Sequence, residues 1–118
     1  MEKKFKKKYP ELFSEDFIYE CGDGWLEIIE KVCEKITWAM NAPLAELTEP
    51  YPKTKIIRIK EKFGALEIYL SEYHPYYDKI IRSARFKSMT ICEICGKKGR
   101  LKGKNGWWMT RCKECGNE

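Results

Sequence analysis

Histidine occurs once in this chain of 118 residues, at His74. That scarcity argues against an HNH-type nuclease, which needs imidazoles around a catalytic ion, and leaves no second histidine to serve as base for a nucleophile. Long apolar runs are also lacking: none approaches the roughly 20 residues that cross a bilayer. The start, Met1-Glu-Lys-Lys-Phe-Lys-Lys-Lys8, has charge but not the apolar stretch of a secretory signal, so a cytoplasmic protein with no membrane partner is expected. There is no internal repeat beyond two paired cysteine turns and no low-complexity segment. At 43% hydrophobic residues the chain supports one modest core and excludes two large ones.

Charge is present in both signs but segregated. Residues 1–10 sum to +4, residues 11–50 to −8, residues 51–90 to +5 and residues 91–118 to +4, which together give the net +5. The first half is therefore acidic after its lysine tract, and the second half is basic. A divalent ion held by four thiolates lowers the last segment to about +2, so the basic character is moderate.

The lysine tract reads as a frayed arm or the start of a short helix running toward Tyr9 and Pro10. Glu20-Cys-Gly-Asp-Gly-Trp25 is a glycine-punctuated turn in which Asp23 is expected to cap a following helix. From Trp25 to Met40 the apolar residues Trp25, Ile28, Ile29, Val32, Cys33, Ile36 and Met40 recur at helical spacing, and Asn41-Ala42-Pro43 should end that helix. A connector over Leu44–Lys53, with one short helical turn, leads to strands over 55–62 and 65–71 around Phe63-Gly64. Ile57 and Ile59 are expected on one apolar face with Leu66, Ile68 and Leu70, and Arg58, Lys60, Glu67 and Tyr69 on the other. His74-Pro75 opens a second helix with Tyr77, Ile80, Ile81 and Ala84 inward and Lys79, Arg82, Arg85 and Lys87 outward. The fold class is α+β, an amphipathic helix packed on a β-hairpin with a second helix, divided into a body over 1–90 and a zinc ribbon over 91–118.

The chemistry-bearing motif lies at the end. Cys92-Glu-Ile-Cys95-Gly96 and Cys112-Lys-Glu-Cys115-Gly116 are two Cys-x-x-Cys turns sixteen residues apart. Each turn presents two sulfurs to one ion, and four thiolates close a tetrahedral structural zinc site with no position for water. A disulfide pair or an iron site is the competing assignment, disfavoured by the compartment and by the absence of partner motifs. A short hairpin around Gly103–Gly106 should bring Trp107 and Trp108 back toward the metal, one packed inward and one facing out. With three residues left after Cys115, a ribbon rather than a treble clef is expected. Cys21, near a helix start, reads as structural sooner than reactive, Cys33 as core, and His74 as a cap or surface residue rather than a ligand.

Taken in order, Cys21-Gly-Asp-Gly-Trp25, Ile59-Lys-Glu-Lys-Phe-Gly64, the Cys-x-x-Cys-Gly turn, Gly106-Trp107 and the second cysteine turn resemble a group of small phage- and prophage-encoded zinc-ribbon proteins of unassigned function. The resemblance covers most of residues 9–116. In that group the last ligand is often histidine, where this chain has Cys115. What it implies is context, a phage product acting in a bacterial host cytoplasm.

The closed site, the missing catalytic constellation and the basic, aromatic second half point to a non-enzymatic binding protein. The leading reading is a host-directed inhibitor or regulator that docks on a host protein through its ribbon and tryptophans. The alternative is nucleic acid, with Arg58, Lys60, Arg82, Arg85, Arg100, Lys102 and Lys104 on phosphates and Tyr69, Trp107 or Trp108 on bases. A third reading, sequestration of a nucleotide signal, requires a basic and aromatic cavity. Exposed ribbon edges also make a homodimer compatible with the sequence.

Overall fold

The computed structural model describes residues 2–42 and 51–116. Helix α1 (Glu2–Lys8) turns the lysine tract into ordered structure because Phe5 has a seat: it is buried and stacks on Phe13, 6.1 Å between ring centroids. Lys8 Nζ donates to Glu30 at 2.8 Å, tying the basic opening to the acidic helix that follows. Strand β1 (Phe13–Glu20), a 3₁₀ turn (Asp23–Trp25) and helix α2 (Leu26–Met40) come next, then strands β2 (Ile56–Lys62) and β3 (Ala65–Leu70) and helix α3 (Pro75–Ser88). The short helical turn expected within Leu44–Lys53 falls largely on residues 43–50, outside the described residues.

Strands β1, β2 and β3 form one sheet in that order, β1 parallel to β2 and β2 antiparallel to β3. A parallel neighbour needs a crossover, and α2 lies within it. Trp25, Ile29, Val32, Cys33, Ile36 and Ala39 of the first helical region meet Tyr77, Ile80 and Ala84 of α3 over Ile56, Ile59, Leu66, Ile68 and Leu70 of the sheet, one continuous core. His74 closes the start of α3 by accepting from the Tyr76 N–H at its Nδ1, 3.0 Å, with Pro75 following as the first helical residue. Cys33 is fully buried within the core.

One strand carried no expectation, and two expectations are corrected. Strand β1 was not legible, because Glu15, exposed, stands between buried Phe13 and Phe17 and the register shifts between Phe13 and Ile18, so the apolar alternation is interrupted. Ile57 and Ile59 do not share a buried face: the register shifts again between Ile56 and Arg58, so Ile56 and Ile59 are fully buried while Ile57 is 40% exposed. Asp23 does not cap the helix; no side chain caps the 3₁₀ turn or α2, and the Gly24 amide of the turn donates to the Glu93 carbonyl instead. Among the described residues no helix is long and apolar enough to cross a membrane.

The bulge assignment has a direct consequence for stability. Ile59→Ala should cost about 3 kcal/mol, the ordinary cost of emptying a filled core position, whereas Ile57→Ala should cost well under about 1 kcal/mol. Denaturant unfolding of the two variants measures the difference, and equal losses would contradict the register.

Candidate functional site

The two cysteine turns adopt the same local geometry. Gly96 N–H donates to the Cys92 carbonyl at 3.0 Å and Gly116 N–H to the Cys112 carbonyl at 2.9 Å, so each turn folds back on its first cysteine. Strands β4 (Arg100–Lys104) and β5 (Trp107–Arg111) join them as an antiparallel hairpin turned at Asn105-Gly106. The sulfurs of Cys92, Cys95, Cys112 and Cys115 all lie within 4.8 Å of one another, with Cys95 and Cys112 at 3.6 Å. Four sulfurs each about 2.3 Å from one tetrahedral ion lie about 3.8 Å apart, so the cage fits a thiophilic metal ion.

Polar backbone surrounds the cage. Desolvation pushes the Cys92 thiol up, but N–H groups of Cys95, Cys112 and Ile94 outweigh it and hold the thiol at about 6. The Cys115 thiol is driven the other way, to about 12, first by its hydrogen bond to Cys112. Sulfurs this close cannot all ionise side by side without a cation to neutralise them.

The first cysteine turn is clamped to the body by Glu93, the residue between the sulfurs. Its carboxylate accepts from the Gly22 N–H at Oε2 and from Arg111 at Oε1, both at 2.8 Å. Its own carbonyl accepts from the Gly24 N–H at 2.6 Å, and its N–H donates to the Thr110 carbonyl at 3.1 Å. Trp25, fully buried, donates its indole N–H to the Ile91 carbonyl at 2.8 Å. Glycine is required where the two segments touch: a Cβ on Gly24 would lie 2.0 Å from the Cys92 carbonyl oxygen, and one on Gly22 2.4 Å from that of Glu93. The glycine-rich turn is thus a seat for the cysteine turn, with Glu93 supplying the acceptors that Asp23 does not. On the far side, Thr110 Oγ1 donates to the Gly64 carbonyl at 2.7 Å, fastening β5 to the β2–β3 turn.

The candidate binding residues separate into groups. Arg100, Lys102 and Lys104 alternate along β4 and lie opposite Arg111, Met109 and Trp107, so these six share one face of the hairpin. Leu101, Gly103, Trp108 and Thr110 form the other face. The expected inward–outward split of the tryptophans is corrected: Trp107 is 69% and Trp108 46% exposed. Trp108 lies across Gly103, where an added Cβ would meet its ring at 2.7 Å. A two-stranded hairpin has too little behind it to bury either indole.

Arg58, Lys60 and Tyr69 lie on the outer face of the three-stranded sheet, as expected. Arg58 donates to Glu20 from Nε at 2.6 Å, and Arg85 of α3 is ion-paired with Glu67. Arg82 projects from α3 into solvent. Burial pushes the Cys21 thiol up to about 12, although a hydrogen bond from Tyr19 opposes it, so this cysteine remains a neutral thiol. Sequence reasoning missed Glu93 and Arg111. The one available signal was a carboxylate between two cysteines of the cage, and nothing local indicates that it turns inward.

The clamp predicts how the ribbon and body communicate. Glu93→Ala, which strands Arg111 and the Gly22 amide together, should destabilise the fold by about 2–4 kcal/mol, and Glu93→Gln by less, measured by denaturant unfolding. Removing the metal with a chelator should abolish hydrogen-exchange protection at Gly22 and Gly24 while leaving the Ile59 and Ile68 amides of the sheet protected. Protection unchanged at the two glycines would show that the cysteine turns hold their shape without an ion. Compared with family models, with curated proteins and with solved structures, the chain matches none.

Proposed function

We propose that this is a non-enzymatic nucleic-acid-binding protein in which a zinc ion, held by Cys92, Cys95, Cys112 and Cys115, keeps a basic and aromatic hairpin face in shape. The observation that carries this reading is the composition of that face, where Arg100, Lys102 and Lys104 accompany Trp107 and Met109, while Arg111 on the same face is held by Glu93. Cations on an exposed strand face neutralise phosphates and release counterions, the dominant source of affinity for nucleic acid. Zinc is the ion we assign because four thiolates are the ligand set of a closed structural site. Such an ion supplies folding energy and needs no chemistry at the metal. The engaged imidazole of His74 and the neutral thiol of Cys21 support a binding role over an enzymatic one.

A phage origin and a bacterial host cytoplasm are proposed from the resemblance in sequence. Within that setting a host-protein target is a second reading, favoured by a groove of about 520 Å³ between α2 and α3. Ile28, Val32, Ile80 and Ala84 line it with apolar surface, and Lys31, Lys35 and Lys87 line it together with Asp23 and Glu27. A helical segment of a partner with one apolar face would complement it. No aromatic residue lines this groove, which weighs against a nucleotide-sequestering role there.

The test is a salt titration of metal-loaded protein against a labelled single-stranded oligonucleotide. Affinity should fall linearly on logarithmic axes, with a slope of about −0.7 per phosphate neutralised, and Arg100→Ala should flatten it by about one such contact. A slope near zero would remove nucleic acid from consideration. Zinc content by elemental analysis should be one ion per chain, and another metal at that stoichiometry would correct the ion without touching the face.

A further inference from the structure

The hairpin face also bears on which form of nucleic acid it fits. Neighbouring cations on one face of a strand repeat every two residues, about 6.6–6.8 Å, a spacing comparable to that of successive phosphates along one extended strand. Arg100 and Lys104 mark the two ends of that row. Beyond Arg100 the row continues toward the cysteine turns, where Lys98 and Lys113 line an open depression of about 480 Å³ together with Arg100. Glu114 is the one acid among that lining, and it stands 3.9 Å from Lys97.

At the other end stands Trp107, directly opposite Lys104 and 69% exposed. It borders a second open depression with Lys104 and Asn105. An indole stacks on a base only where the base face is free, so this ring selects unpaired bases. Trp108 is exposed too, but it lies on the opposite face with Leu101 and Thr110, away from the row of cations. Tyr69 is set apart on the sheet, beside an arginine already paired with Glu20.

We propose that the outward hairpin face is a single-strand site: a base stacks on Trp107 while the sugar–phosphate backbone runs along β4 past Lys104 and Arg100 toward Lys98 and Lys113. The strand rise gives the row from Lys104 to Arg100 a length of about 13 Å, so the core of the site spans about three nucleotides. The backbone and the base faces are common to RNA and DNA, and the site takes either. This inference rests on the nucleic-acid reading above and narrows it. The competing geometry is a two-stranded ribbon laid in the major groove of a duplex, which uses the same cations and leaves Trp107 without a stacking partner.

The experiment uses the metal-loaded full chain at low salt and fluorescence anisotropy with two probes, labelled oligothymidylate and a labelled duplex of equal length. Single strand should bind at least about ten-fold more tightly than duplex, and Trp107→Ala should weaken single-strand binding by about ten-fold or more. Trp107→Phe should recover most of that loss, because it restores a ring. Trp108→Ala should change affinity less than about two-fold, since its ring is off the path. Metal content and circular dichroism of each variant check that the hairpin is intact. Equal affinity for both probes, a preference for duplex, or an unaffected Trp107→Ala variant overturns the single-strand site while leaving nucleic-acid binding in place. Absence of salt-sensitive binding to both probes overturns the parent reading as well.

Discussion

A carboxylate held between two cysteine turns joins the halves of this molecule. Glu93 sits in the sequence between two sulfurs, yet its oxygens accept from the Gly22 amide of the body and the Arg111 guanidinium of the hairpin. Hydrogen bonds to charged groups contribute about 1.5–3 kcal/mol each, more than neutral ones, and Glu93 is buried enough for solvent to screen them little. A four-sulfur cage can order two short turns without fixing where they sit. Glu93, with the Gly24 amide and the Trp25 indole bound to the same turn, fixes the place.

That clamp gives the glycine-rich turn its physical meaning. Gly22 and Gly24 clear the way for backbone-to-backbone contact that any side chain would obstruct, and Trp25 inserts its ring into the core while its N–H reaches the cysteine turn. The same turn therefore starts α2 and seats the ribbon. Thr110 closes the other side through the Gly64 carbonyl, so β5 is fastened to the body at Thr110 and to β4 along its length.

Charge is distributed along the same lines. Several body cations are engaged by the acids of the amino-terminal half or of the sheet, Lys8 with Glu30, Arg58 with Glu20 and Arg85 with Glu67. Each of these pairs is partly exposed and contributes modestly to stability, but each reduces the charge a polyanion would meet. The hairpin has fewer acids to spend: Glu93 is turned inward onto Arg111 and Glu114 lies near Lys97. A chain with moderate net charge thus gathers Arg100, Lys102 and Lys104 on one exposed strand of a small element.

Local pattern determined a good deal. Helical spacing announced α2 and α3, the Phe63-Gly64 turn announced a hairpin, His74 before Pro75 announced a helix start, and two Cys-x-x-Cys turns announced the ligand set, because each is a property of residues within a few positions of one another. Strand β1 and the burial of Ile56 in place of Ile57 escaped, since register shifts break the alternation on which strand reading depends. Both tryptophans were left in solvent because a two-stranded hairpin offers one packed side at most. Only the tertiary structure could decide that the Gly22 amide finds its acceptor on a residue 71 positions away, and that four cations and one indole of the hairpin face the same way. Long-range hydrogen bonds and shared faces depend on how elements pack, and packing leaves no periodic trace in the order of residues.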